Sequence, residues 1–161
     1  MTNKGKYYES QFEEATIELL RESHWQYTFG DDIHRKYTDP LIEEDLRNFL
    51  AVQYKDKNLT TSEIDCIVAN LRNTGGQNDY YALRNAFLLY RDGYDFAYSD
   101  SRDNPFRMEY IDFEHPDHNI FRCVNQFVME QGRENRRPDI LLFINGIPVC
   151  IIELKNPTKQ N

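Results

Sequence analysis

Apolar positions recur at helical spacing through the first half of the chain. Phe12, Ile17, Leu19 and Leu20 predict an amphipathic helix over residues 8–22 with those side chains toward the core. Residues 25–30 (Trp-Gln-Tyr-Thr-Phe-Gly) predict a short strand or an extended connector. Asp39-Pro40 reads as a helix start, Asp39 as cap and Pro40 at the first position. Leu41, Leu46, Phe49, Leu50 and Val52 carry that helix to about residue 54. Thr60 and Glu63 have capping-box spacing, and Ile64, Ile67, Val68 and Leu71 form the stripe behind them. Asn73 to Gly76 ends this helix. A fourth is predicted over residues 79–90, with Leu83, Phe87 and Leu88 inward and a stop at Asp92-Gly93. Tyr80, Tyr81 and Tyr90 on it read as packing residues.

From Tyr94 the period changes to two. Residues 94–98, 106–113 and 120–130 are predicted strands, separated by polar loops. Two apolar runs follow, residues 140–144 and 147–152, around Asn145-Gly146. Asn-Gly favours a two-residue hairpin turn, since both residues tolerate positive φ. Helices first and strands later predict an α/β protein of α+β-like order, with a mixed central sheet flanked by helices. Its 161 residues suffice for one domain.

The hairpin interrupts its apolar background with three charges. Asp139 stands where its first strand begins, and Glu153 and Lys155 where its second ends. Glu153 and Lys155 share a face, because side chains alternate along a strand. A regular two-residue turn pairs Ile144 with Ile147 and hence Asp139 with Ile152, which turns Asp139 to the wrong face. An irregularity is therefore expected: a three-residue loop with a Gly146 bulge, a bulge near Pro148, or a bend at Asp139 outside the ladder. Two converging carboxylates bind a hard cation such as Mg²⁺, with the Leu154 carbonyl as a third oxygen. Lys155 then orients a water or neutralises a phosphate.

These residues also carry a resemblance. Arg136-Arg137-Pro138-Asp139, Asn145-Gly146-Ile147-Pro148 and Glu153-Leu154-Lys155-Asn156-Pro157 resemble the nuclease motif of type I restriction enzyme R subunits, in the PD-(D/E)xK superfamily. Leu71-Arg72-Asn73, Asn85, Leu89 to Gly93, Ile111-Asp112-Phe113 and Asn125-Gln126-Phe127 extend it over nearly the whole chain. The resemblance implies a restriction-endonuclease-like fold and a Mg²⁺-dependent cut in double-stranded DNA. Asp139, Glu153 and Lys155 are the implied catalytic residues. A helical acid, Glu13 with Glu14 as its rival, leans toward the metal. Modification and specificity subunits are the implied partners, with ATP consumed by motor domains. The chain has no G-x-x-x-x-G-K-[ST] phosphate loop, and it ends before the Gln-x-x-x-Tyr helix of such subunits. An N-terminal fragment, inactive by itself, is the expectation. Rival readings are another nuclease of the superfamily, such as a repair enzyme, and a non-catalytic docking module.

The net charge of −8 limits unaided DNA binding, because phosphate contacts from Lys and Arg dominate that affinity. Arg133, Arg136 and Arg137 form the clearest basic patch and are candidates for holding the DNA backbone, with a solvated loop as the equal alternative. Three scattered cysteines suit a reducing cytoplasm, and Cys123 and Cys150 are expected to be buried. No apolar run has membrane-spanning length. His115 and His118 form a His-x-x-His pair with no further Cys or His at ligand spacing, so a solvated loop is expected there.

Overall fold

A computed structural model describes residues 9–100, 103–132 and 134–155. The chain is a mixed α/β protein with four helices: α1 (Glu9–Glu22), α2 (Glu43–Gln53), α3 (Thr61–Arg72) and α4 (Asp79–Asp92). Its strands are β1 (Gln26–Phe29), β2 (Tyr94–Phe96), β3 (Phe106–Met108), β4 (Phe121–Asn125), β5 (Met129–Gln131), β6 (Glu134–Arg136), β7 (Ile140–Ile144) and β8 (Ile147–Ile152). The described residues gather into two compact units, one formed by the segments up to Ile42 and from Phe121 onward, the other by Glu43–Ile120.

The first unit holds a four-stranded sheet in the order β1-β4-β7-β8. β1 runs parallel to β4, and the other neighbours are antiparallel. Ile42, Val124, Phe127, Leu141 and Phe143 close its core, with Ile33 and Met129 against them. Arg35 lies over the Phe127 ring, 3.4 Å from its centroid, and donates to the carbonyls of Val128 and Asp39. Burial lowers the pKa of this guanidinium, although Asp39 and Tyr37 act in the opposite direction. The long strand expected over residues 120–130 is broken. Gln126 adopts a φ of 56° and gives its N–H to the Asp139 carbonyl, so β4 stops at Asn125 and pairing resumes only at β5.

The helix expected from Asp39-Pro40 begins later, at Glu43. Asp39 accepts instead from the Leu41 N–H at 3.1 Å, and Ile42 donates to the Gly146 carbonyl. Both groups are taken by turn and hairpin contacts, so the helix starts where Glu43, Glu44 and Asp45 complement its dipole. The outward sides of three helices also differ from expectation. Leu19 and Val52 are exposed, as are Leu83, Phe87, Tyr80 and Tyr81. On α4 the half-buried positions are Ala82, Ala86, Leu88, Leu89 and Tyr90, with Asp92 at its end.

In the second unit the Thr60–Glu63 capping box is present in both directions, and Glu63 is buried. Leu46, Phe49, Leu50, Ile67, Val68, Leu71, Met108 and Tyr110 are buried. The Tyr110 hydroxyl donates to the Ile67 carbonyl at 2.8 Å. The strand expected over residues 106–113 ends at Met108, because the Glu109 N–H goes to the Tyr54 hydroxyl and the Asp112 N–H to Asn119 Oδ1. Cys123 is buried as expected, whereas Cys150, on the outer strand β8, is exposed. No helix among the described residues is long and apolar enough to cross a membrane.

Gly93 follows α4 with φ 62°, and a Cβ there would stand 2.0 Å from the Met108 carbonyl oxygen. Both conformation and space exclude a side chain. Gly93→Ala is expected to cost on the order of 2–3 kcal/mol, read as a lowered urea midpoint at unchanged m-value.

Candidate active site

The two-residue turn is present: Asn145 and Gly146 both have positive φ, 51° and 75°. Ile144 pairs with Ile147 and Phe143 with Pro148, but Leu142 pairs with Cys150. Val149 is thus an extra residue in β8, directly after the proline that has no N–H for the ladder. Past it, Ile140 faces Ile152 instead of Ile151. Carried one step beyond the last ladder pair, this register would set Asp139 opposite Glu153, on one side of the ribbon.

Asp139 is half-buried on a bend just before β7, while Glu153 and Lys155 are exposed just after β8. Asp139 Oδ2 accepts from the Leu154 N–H at 2.7 Å. This bond ties the end of the second strand to the start of the first and holds Leu154 beside the carboxylate. The other Asp139 oxygen takes no hydrogen bond among the described residues.

On the neighbouring strand, Asn125 and Gln126 receive α1. Glu13 Oε1 accepts from Asn125 Nδ2 at 2.8 Å and from Gln126 Nε2 at 3.3 Å. Asn125 Oδ1 accepts in turn from the Tyr27 hydroxyl at 3.1 Å. Glu14 is exposed. Glu13 is therefore the acid directed at the sheet, and it reaches Asp139 through Gln126, whose backbone N–H donates to the Asp139 carbonyl. Gly30 packs against this junction. A Cβ on it would lie 2.5 Å from the Gln126 carbonyl oxygen.

A pocket of about 470 Å³ opens beside Glu13, lined by Glu14, Ile17, Glu18, Arg21, Tyr27 and Asn125 among others. Asp139 and Glu153 do not line it. Arg136 is exposed, 3.8 Å from the equally exposed Glu134, and borders a different pocket with Glu130 and Met129. An exposed pair of this kind contributes little stability. Arg137 is exposed, and Arg133 lies outside the described residues. The amide pair Asn125-Gln126 was not singled out as a site feature in the sequence. Its signal is two consecutive amide residues where the strand ends.

Residues 6–161 match the family model described as type I restriction enzyme R protein N terminus. The chain is 28% identical over 163 residues to the type I restriction enzyme HindI endonuclease subunit of Haemophilus influenzae, covering 95% of this chain and 15% of that protein. It is 29% identical over 153 residues to a Methanocaldococcus jannaschii protein whose naming as the MjaIXP type I restriction enzyme endonuclease subunit is itself provisional, covering 90% and 15%. The chain thus spans about 15% of the length of these curated relatives.

The register is testable by cross-linking. With Cys66 and Cys150 replaced by Ser, Asp139→Cys and Glu153→Cys are expected to form a disulfide readily, since directly opposed strand residues lie within bridging distance. Deleting Val149 in that background restores the regular register and is expected to abolish the bridge, as read by mass spectrometry under non-reducing conditions.

Proposed function

The chain belongs to the type I restriction enzyme R protein N-terminal family, and from that premise we propose that it is the Mg²⁺-dependent DNA-cleaving domain of such an enzyme. The observation that carries this reading is the bulged register of the β7–β8 hairpin, in which Ile140 faces Ile152, together with the bond from the Leu154 N–H to Asp139; continued by one residue, that register turns Asp139 and Glu153 to one side.

The donor set fits a small hard cation. It offers two carboxylates and the Leu154 carbonyl, all oxygens, and exposed Glu153 leaves space for the waters that Mg²⁺ retains. Such an ion, when bound, supplies an activated water and charge neutralisation at the scissile phosphate. Asp139 and Glu153 hold it. The Leu154 N–H keeps the Asp139 carboxylate oriented, and Lys155 places its ammonium beside the attacked phosphate or the attacking water. Glu13, fixed by Asn125 and Gln126, anchors α1 against the edge of this centre and is the candidate to hold a metal-bound water.

A net charge of −8 supports a division of labour. Double-stranded DNA is brought to the site by other parts of the enzyme, and Arg136 and Arg137, with Arg133, add local phosphate contacts. In this reading the remainder of the R subunit supplies ATP-driven movement, and modification and specificity subunits supply recognition of the DNA sequence.

In the complete R subunit assembled with its partners, Asp139→Ala is expected to lower DNA cleavage by roughly 10²-fold or more and to leave DNA-stimulated ATP hydrolysis unchanged. Lys155→Ala is expected to behave likewise. Cleavage at the parental rate by Asp139→Ala, measured on supercoiled plasmid, would reject the assignment.

A further inference from the structure

The loop after β3 folds around one buried acid. Asp112 is 6% exposed, and four groups converge on its carboxylate. Oδ1 accepts from the N–H groups of Glu114 (3.1 Å) and His115 (2.8 Å). Oδ2 accepts from Gln53 Nε2 at 2.9 Å and faces His118 Nδ1 at 3.0 Å. The backbone is pinned as well, for Asn119 Oδ1 accepts from the Asp112 N–H and Asn119 Nδ2 donates to the carbonyls of Asp112 and Pro116. The fold has prepared this carboxylate and fixed its direction.

Both histidines of the His-x-x-His pair turn toward it. His115 Nδ1 stands 3.7 Å from Oδ1. The two imidazoles are stacked, 4.9 Å between centroids and 17° between planes, and so present their nitrogens side by side. One ligand atom from each of the three residues falls within 4.8 Å of the other two, the one such grouping of three among the described residues. Two imidazoles and one carboxylate make a mixed nitrogen and oxygen donor set.

We propose that Asp112, His115 and His118 form an open three-ligand site for a divalent transition-metal ion, with zinc the best match to its donors. Imidazole nitrogen and carboxylate oxygen suit zinc, which binds each at about 2.0–2.2 Å. Asp112 is held from behind by Gln53, as outer partners hold metal ligands elsewhere. The exposed histidines are free to close on the ion, which replaces the present contact between His118 and Asp112. Their exposure leaves the fourth position to water. The spacing explains why the sequence alone favours a solvated loop: the third ligand is an aspartate three residues before the first histidine, not another Cys or His.

The test is a calorimetric titration of the untagged, metal-stripped chain with Zn²⁺. One equivalent is expected to bind. His115→Asn and His118→Asn should each weaken binding about 100-fold or more, and Gln53→Ala about 10- to 100-fold. Substituting His24 and His34 together should leave the affinity within a few-fold. Co²⁺ added to the unsubstituted chain should give the intense visible absorption of a four-coordinate ion, a readout that needs no variant. Less than one equivalent of zinc, a His115→Asn/His118→Asn double variant that binds as the parent does, or cobalt absorption no stronger than that of the aqueous ion would overturn the proposal.

Discussion

One extra residue governs the geometry of the candidate centre. β8 contains Val149 where a regular ladder has no place for it, and this single insertion exchanges the faces of everything nearer the strand ends. Before the bulge the hairpin is dictated by the Asn145-Gly146 turn, and beyond it by the pairing of Ile140 with Ile152. The two stretches are out of phase by one residue, which is the phase that a shared side for Asp139 and Glu153 requires. Pro148 gives the physical reason for the location, since a residue without an N–H weakens the ladder where the slip is tolerated.

The neighbouring strand is shaped by the same need to stop cleanly. At Gln126 the backbone swings into a left-handed conformation, and its N–H closes onto Asp139. Gly30 has to be bare for this corner to sit where it does. Asn125 and Gln126 then hand their side-chain amides to Glu13. A helix, two strands and the catalytic candidate are thus connected by hydrogen bonds between polar groups, over a core built from Val124, Phe127, Leu141 and Phe143.

Much of this was legible in the sequence, for identifiable reasons. Asn145-Gly146 between apolar runs specifies a hairpin through backbone chemistry, and the conflict between its parity and the charges at its ends pointed to an irregularity. The Thr60–Glu63 cap is a local pattern and appears as such. The phase of α4 was not legible. Leu83 and Phe87 lie on one face, and Ala82, Ala86 and Leu89 on another, with the same helical period. Size favoured the first face and the fold selected the second. The ends of β3 and β4 were hidden for a different reason. A tyrosine hydroxyl, an asparagine amide and a distant carbonyl capture the backbone N–H groups that a ladder would need, and such side-chain competition has no period. Asp112 illustrates the same limit, because its role arises from contacts with Gln53 and Asn119 across the loop.

The bond from the Leu154 N–H to Asp139 has a mechanical side. The last ladder pair of the hairpin joins Ile140 to Ile152, and the backbone N–H two residues beyond it is held by a side chain instead of a partner strand. A carboxylate that accepts in place of a strand carbonyl ends the ladder without leaving that donor bare. Shortening or removing it strands the donor and lets the hairpin fray from this end.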